Sequence, residues 1–225
     1  MTRAENWCDK AFGYQFSDAG LLARALTHRS AAPDNNERLE FLGDAVLGLV
    51  IAGAVFDAKP DADEGTLSRY RADLVRGESL AEIARELELA PYLVMGSGEH
   101  RTGGHQRASV LANALEALFG AILIDGGFEA AQRAILRVFA TRLAKLPLES
   151  ELKDPKTRLQ ELLQARGLAP PEYELVGSTG ADHARTFESS CCIEALSIST
   201  SGCGTSRRRA EQAAAGEALA LFDDD

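Results

Sequence analysis

One run of the sequence restricts the fold more than any other. It is Val110–Ile124, fifteen residues that are apolar or glycine except for Asn113 and Glu116. Such a run predicts a buried helix, on which Asn113 and Glu116 share a face because they are three residues apart. A carboxylate inside it must be paired or bound to a metal, since an isolated buried charge would be protonated instead. The sequence therefore predicts either a metal site at Glu116 or a buried cation beside it.

A second acidic segment leads into another apolar run, Ala45–Phe56. Its Glu37, Glu40 and Asp44 are spaced i, i+3 and i+7, which places all three on one helix face. Stacked like charges repel one another, so this face favours a bound cation. Oxygen-only ligands suit Mg²⁺, which commonly meets phosphate substrates. The alternative is a solvated face whose glutamates pair with arginines such as Arg38.

The spacing of apolar residues changes along the chain. From about residue 4 to residue 145 the period is helical, whereas the connection at 146–150 is short, polar and proline-containing. A helix, three strands and a second helix are predicted after it. We therefore predict a multi-domain protein with an all-α domain and a small α+β domain of α-β-β-β-α order. The predicted boundaries are 1–147 for the first domain, 148–153 for a linker and 154–225 for the second domain, with helices at 154–165 and 206–222 and strands at 172–176, 184–194 and 196–201.

Charge and hydropathy limit the partners and the compartment. The chain has 24 Lys and Arg against 34 Asp and Glu, a net charge of −10, so any binding to nucleic acid must use a local patch. The run Ala45–Phe56 is shorter than the roughly 18 apolar residues of a membrane span, and no hydrophobic signal region follows the amino terminus. We predict a cytoplasmic protein without membrane contact, whose four cysteines are packing residues.

The first helix of the predicted second domain carries a polar stripe opposite its leucines. Uncharged donors and acceptors of this kind suit contact with 2′-hydroxyls and base edges in the shallow minor groove of double-stranded RNA. A solvated helix face would have the same appearance. The stripe consists of Thr157, Gln160, Glu161 and Gln164.

The start of the last predicted helix is strongly basic, with Ser206 followed by Arg207, Arg208 and Arg209. Backbone N–H groups at a helix start already favour phosphate, and arginines add charge and bidentate donors. Without an anion, three positive charges there oppose the helix dipole, so we predict contact with RNA phosphates. His183, in the loop between the first two strands, is a further candidate that can donate to a sugar or base oxygen; an incidental loop position is the alternative.

The residues around Glu37, Glu40 and Asp44 resemble a known family. The run Asn35–Asp44, NNERLEFLGD, is similar to the signature of ribonuclease III, the double-stranded RNA endonucleases. The similarity covers nearly the whole chain and agrees with the bacterial form, which has a single catalytic domain. Residues 154–222 resemble a double-stranded RNA-binding domain. Further matching segments are Asp63–Gly65, Leu74–Gly77, Gly103–Gly104 with Arg107, and Leu111–Leu118.

The resemblance implies a role for each acid. Glu40 and Glu116 would bind the metal, and Asp44 would lie close to the reaction beside Glu116. Glu37 and Glu64 would assist catalysis on the RNA-facing side, although the helix dipole alone explains an acid such as Glu64 near a helix start.

Asn113 departs from the family pattern, because the best-known members have an aspartate metal ligand there. An amide oxygen can coordinate Mg²⁺ but brings no negative charge, so the metal should be held less tightly. We predict Glu40, Asn113 and Glu116 as metal ligands, Mg²⁺ as the cofactor with Mn²⁺ as a substitute, and no nucleotide cofactor.

The resemblance also implies the reaction and the assembly. Water would attack the phosphodiester bonds of double-stranded RNA and leave 5′-phosphate and 3′-hydroxyl ends, in precursors of ribosomal RNA and of some messenger and transfer RNAs. A homodimer is implied because each catalytic domain cuts one strand. Phe41, on the acidic helix, is either a dimer contact or a core residue.

Two alternatives remain at this point. The first is a double-stranded RNA-binding dimer that does not cleave, in which Asn113 marks a weakened metal site. The second is a metal-dependent phosphohydrolase for small molecules, which leaves the carboxyl-terminal domain unused.

Overall fold

The chain forms two compact units, Met1–Leu146 and Pro147–Asp225, in a computed structural model that describes residues 2–148, 153–180 and 185–223. The first unit is helical, and the second combines helices with a three-stranded sheet. The predicted fold class is therefore confirmed. Residues 149–152 of the predicted linker lie outside the described residues, so the domain boundaries stay predictions.

Two long helices dominate the first unit, α3 (Glu37–Ala58) and α7 (Ala108–Ala144). Helix α7 has a kink at Gly127, where the positive φ of 78° is one that glycine adopts without strain. The shorter helices are α1 (Arg3–Phe12), α2 (Ala19–Ala25), α4 (Glu64–Val75), α5 (Gly77–Glu86) and α6 (Ser97–Arg101), with 3₁₀ turns at Ala90–Tyr92 and Gly104–Gln106.

Helices α3 and α7 cross at two glycines, where their backbones touch. A Cβ atom at Gly43 would collide with the carbonyl oxygen of Glu116, and one at Gly120 would collide with the carbonyl oxygen of Leu39. Any larger residue at either position would push the helices apart. The fully buried side chains of the first unit include Leu47, Ile51, Leu111, Leu115, Leu118 and Phe119.

The two long helices extend well beyond the apolar runs that the sequence marks. By length and composition alone, Glu37–Ala58 and Ala108–Ala144 would both be able to cross a membrane, so the short length of the run Ala45–Phe56 does not by itself exclude a span. Core helices of soluble proteins meet the same criterion, and 61% of the most apolar window of Ala108–Ala144 is buried within the protein. The absence of membrane contact stays a prediction.

The second unit packs its helices on an antiparallel sheet of order β1-β2-β3. The first strand continues to Thr179, beyond the predicted end, and the third strand begins later than predicted because Glu194–Leu196 forms a 3₁₀ turn. The elements are α8 (Pro155–Ala165), β1 (Glu172–Thr179), β2 (Thr186–Ile193), β3 (Ile198–Gly204) and α9 (Arg207–Asp223).

The cysteine prediction is wrong for half of the set. Cys8 and Cys191 are buried, whereas Cys192 and Cys203 are exposed, and all four are free thiols. Side chains alternate between the faces of a strand, so Cys192 must point away from the core that Cys191 enters. The core side of β2 also buries Ser189 and Ile193.

Candidate active site and nucleic-acid interface

The crossing of α3 and α7 brings the two acidic segments together. Glu40 and Asp44 lie on the α3 turn that flanks Gly43, and Gly43 packs directly on the backbone of Glu116. The side chain of Asn113, one turn earlier on α7, hydrogen-bonds to Glu40. Two segments that are 70 residues apart in sequence thus form one cluster of oxygen-bearing side chains.

The carboxylates of this cluster repel one another. Burial, together with the neighbouring carboxylates of Asp44 and Glu40, raises the pKa of Glu116 to about 7. Burial also raises the pKa of Glu40, with Glu37 and Asp44 adding to the rise, while the hydrogen bond from Asn113 and the nearby charge of Arg29 oppose it. The cluster therefore carries uncompensated negative charge at neutral pH, which a cation would stabilise.

Internal cations compensate only the edge of the cluster. Glu37 pairs with Arg29 at 3.4 Å, not with Arg38, and both side chains are more than half exposed, so this pair contributes little stability. Among the described residues, no lysine or arginine forms an ion pair with Glu40, Asp44 or Glu116. The alternative of a buried cation beside Glu116 is therefore wrong.

The donors in the cluster suit a hard divalent cation that keeps part of its water shell. They are carboxylate oxygens of Glu40, Asp44 and Glu116 with the amide oxygen of Asn113. Within the described ranges, no three His, Cys, Asp or Glu side chains are arranged to hold a metal ion by themselves. A cation at this cluster would therefore need the Asn113 amide oxygen and water among its ligands.

A cleft of about 530 Å³ opens beside the cluster and mixes acidic with basic side chains. Sequence reasoning did not single out Arg29, which lies in the turn before α3, or Glu99, which bonds Arg107 at 2.6 Å. The sequence signal that could have identified Arg29 is its position eight residues before Glu37 of the acidic face. Glu64 is exposed at the first turn of α4 and does not line the cleft. The lining residues are His28, Arg29, Ser30, Asn36, Glu37, Glu40, Glu99, Arg107, Ser109, Val110 and Asn113.

The predicted polar stripe of α8 is exposed. Leu159 and Leu163 are fully buried on the other side of this helix, which begins at its cap Asp154. One member of the stripe is engaged within the protein, since Lys153 donates to Glu161 at 2.7 Å. The stripe residues Thr157, Gln160, Glu161 and Gln164 are all solvent-accessible.

The basic start of α9 is exposed as well. The Ser206 hydroxyl accepts a hydrogen bond from the backbone N–H of Arg209, so Ser206 caps the helix as its position suggests. Arg207, Arg208 and Arg209 all face solvent, where their charges are available to an anion. His183 lies outside the described residues, and its role stays a prediction.

Paired helices with a carboxylate cluster, followed by a small α+β unit with a basic helix start, define a nuclease with an attached nucleic-acid-binding domain. Residues 18–143 match the model of Ribonuclease-III-like proteins, and residues 155–221 match the double-stranded RNA binding motif. Ribonuclease 3 of Thiobacillus denitrificans is 54% identical over 211 residues, 94% of this chain and 93% of that protein. Ribonuclease 3 of Hahella chejuensis is 52% identical over 219 residues, 97% of both chains.

This chain belongs to the ribonuclease III family and is a ribonuclease with a double-stranded RNA-binding domain. The solved nuclease domain of ribonuclease III from Campylobacter jejuni is 40% identical, with a TM-score of 0.61 over 65% of this chain and 100% of that domain. A second structure of that domain, which concerns flexibility in its dimer-forming region, is 42% identical, with a TM-score of 0.60 over 62% of this chain and 98% of that one.

Proposed function

We propose that this ribonuclease is a Mg²⁺-dependent endonuclease that hydrolyses both strands of double-stranded RNA to 5′-phosphate and 3′-hydroxyl ends. The observation that carries the proposal is the repulsive cluster of Glu40, Asp44 and Glu116, none of which forms an ion pair with a lysine or arginine among the described residues. A fold that maintains such repulsion is consistent with a site that receives its cation from solution.

Each residue of the cluster has a proposed part. Glu40, Asn113 and Glu116 would hold Mg²⁺ through their oxygens, and Mn²⁺ would substitute. When bound, the ion would lower the pKa of water and neutralise charge on the phosphate. Asp44, which is coupled to both glutamates, would orient the attacking water.

Residues at the edge of the cluster would face the RNA substrate. Glu37 projects into the cleft beside Arg29, and it would face the substrate backbone there. Glu64, exposed at the start of α4, would act from outside the cleft, and its assignment rests on the family resemblance alone.

The second unit would hold the duplex by its shape. The stripe of α8 would contact the minor groove, and Arg207 to Arg209 would contact phosphates across the neighbouring groove. The unit has an excess of acids outside these surfaces, so binding should be modest and sensitive to salt. No nucleotide cofactor is required for either step.

A homodimer would supply one active site for each strand. Phe41 is 80% exposed, which excludes the core role, and Leu49 and Phe56 on the same helix are 62% and 67% exposed. Apolar side chains gathered on one face of α3 favour contact with a second copy. Phe41→Asp should convert the dimer to a monomer in light scattering, whereas Leu221→Asp, at an exposed apolar residue of the second unit, should not.

The substrates and compartment follow from the family. We propose precursors of ribosomal RNA and of some messenger and transfer RNAs as substrates, in the cytoplasm. Transcriptome-wide mapping of 5′-phosphate ends in cells with and without the active protein would test this assignment. Ends that do not change between the two would overturn it.

The test of the activity is incubation with a long, perfectly paired RNA in Mg²⁺ and, separately, in Ca²⁺. Short duplexes with 5′-phosphates in Mg²⁺ alone are the expected products. A duplex that stays bound but uncut in both Mg²⁺ and Mn²⁺ would contradict the proposal and support the non-cleaving RNA-binding dimer, with Asn113 as the weakened ligand.

A further inference from the structure

A buried carboxylate in the second unit lies between the two surfaces that are proposed to bind RNA. Glu211 of α9 is only 8% exposed. The Lys156 ammonium of α8 donates to it at 2.7 Å, and the Arg207 guanidinium donates through Nε at 2.9 Å. One carboxylate thus connects the first turns of two separate helices.

The contact leaves Arg207 available to an external anion. Its side chain is 62% exposed, and only its Nε is bound to Glu211. The outward-facing nitrogens of the guanidinium are the ones that a phosphate would bind in bidentate fashion. Glu211 therefore restricts the conformation of the Arg207 side chain and leaves its other guanidinium nitrogens available to bind an anion.

The other partner is equally restrained. The Lys156 ammonium also lies 4.1 Å from the centre of the Tyr173 ring, so it is held between a carboxylate and an aromatic face. Lys156 is the second residue of α8, two positions after the cap Asp154, and precedes Thr157 of the polar stripe. Its pairing with Glu211 fixes the start of α8 relative to the start of α9.

We propose that Glu211 is a positioning residue for duplex RNA, which sets the distance between the α8 stripe and the α9 arginines and orients Arg207 toward phosphate. The inference rests on the proposed binding of double-stranded RNA. A-form RNA presents its minor groove and the neighbouring phosphates at a fixed separation, so two surfaces held at that separation bind without further ordering.

Charge alone gives the opposite expectation. A carboxylate beside a phosphate-binding arginine repels RNA, so its removal would tighten binding if Glu211 acted only through its field. If Glu211 acts by positioning, its removal weakens binding. The sign of the change therefore separates the two roles.

The experiment measures binding of the full chain, in EDTA, to an RNA duplex longer than the roughly 16 base pairs that such a domain spans. Glu211→Gln should raise Kd about tenfold, since two side chains must then be ordered during binding. Glu217→Gln removes the same charge from an exposed position of the same helix and should leave Kd unchanged or slightly lower. Equal or tighter binding by Glu211→Gln would overturn the inference.

Two further readouts distinguish positioning from loss of the fold. If Arg207 no longer binds phosphate in Glu211→Gln, the slope of log Kd against log salt should fall by about 0.9, while amide exchange of β2 stays slow. If the amides of β2 lose their protection from exchange in Glu211→Gln, Lys156→Met is the second test, because it removes the Lys156–Glu211 ion pair and keeps the pair of Glu211 with Arg207. RNA binding about threefold weaker is expected for Lys156→Met. Unchanged binding would overturn the inference. Absence of RNA binding by the unmodified chain would instead contradict the proposed function.

Discussion

Glu116 of the first unit, which is half-buried, and Glu211 of the second, which is buried, both project from helices, yet their pKa values shift in opposite directions. Burial and two neighbouring carboxylates raise the pKa of Glu116 to about 7. Hydrogen bonds from Lys156 and Arg207 hold the pKa of Glu211 below its usual range, against the effect of burial. Within the part of the chain that the structure describes, Glu116 has no ion-pair partner, whereas Glu211 has two.

The two units differ in where they obtain the positive charge that balances a buried acid. In the first unit, the close crossing of α3 and α7 at Gly43 brings acidic side chains together, and their mutual repulsion destabilises the fold. A cation bound from solution would reduce that repulsion. The second unit neutralises its buried acid internally and exposes its arginines. We therefore propose the unsatisfied charge as the site of chemistry and the satisfied one as part of the scaffold for binding.

A substitution at Glu116 has the largest expected effect, and it tests whether cleavage and RNA binding belong to different units. Glu116→Gln should lower the rate of RNA cleavage by more than about a hundredfold, because it removes a charged ligand from the reaction site, while duplex binding stays intact. Gel-based cleavage and binding assays on the same preparation measure both quantities. Glu129→Gln, on the same helix and exposed, should retain full activity. Lost RNA binding by Glu116→Gln would mean that Glu116 is structural.

A substitution at Gly43 tests the close crossing of α3 and α7. Gly43→Ala should destabilise the first unit by about 3 kcal/mol or more, because its Cβ would collide with the backbone of Glu116. Denaturant unfolding followed by the fluorescence of Trp7, the only tryptophan, measures this change. Gly48→Ala is the matched control, since a Cβ there meets nothing within 4 Å, and it should be neutral or stabilising. Equal effects of the two changes would refute the close crossing.

The pH dependence of stability sharpens the contrast between the glutamates. The folded pKa of Glu116 is about 7 and its ordinary value is 4.5, so the folded state binds more protons than the unfolded state between these values. The stability of the metal-free first unit should therefore fall as pH rises from about 4.5 to above 7. Thermal melting by Trp7 fluorescence should show this decline.

Two controls isolate the contribution of Glu116 to that decline. Glu116→Gln should make the curve flatter, and Mg²⁺ should stabilise the protein more at pH 8 than at pH 5.5, because ionised carboxylates bind it. A curve that is identical in Glu116→Gln would assign the decline to other groups.

Sequence reasoning located the parts of the site but not the contacts between them. The helical spacing of Glu37, Glu40 and Asp44 predicts one face correctly, because such periodicity is a local property. The pairing of Glu37 with Arg29 rather than Arg38 depends on the path of the turn before α3, which local spacing does not specify. The exposed side chain of Phe41 likewise depends on which face of α3 packs on α7.

In the second unit, the element order was predictable and the network was not. The polar stripe identified the exposed face of α8, and the run of arginines identified the exposed start of α9. Nothing in the spacing joins Lys156 to Glu211, since 55 residues separate them and only packing of the two helices brings them within 2.7 Å. Strand ends were also misplaced, because the 3₁₀ turn at Glu194–Leu196 lacks a strong sequence signal.

The smallest expected effect concerns Asn113, whose amide hydrogen-bonds to Glu40 and spares the cluster a further charge. Asn113→Asp would replace that donor with another carboxylate, so the metal-free protein should lose about 1 kcal/mol of stability. The added charge should tighten Mg²⁺ binding about tenfold, measured by the Mg²⁺ dependence of the melting temperature. Asn113→Ala, which removes the amide without adding charge, should weaken Mg²⁺ binding instead. If Asn113→Asp lost stability without gaining affinity for Mg²⁺, residue 113 would stabilise Glu40 only and would not belong to the ligand set.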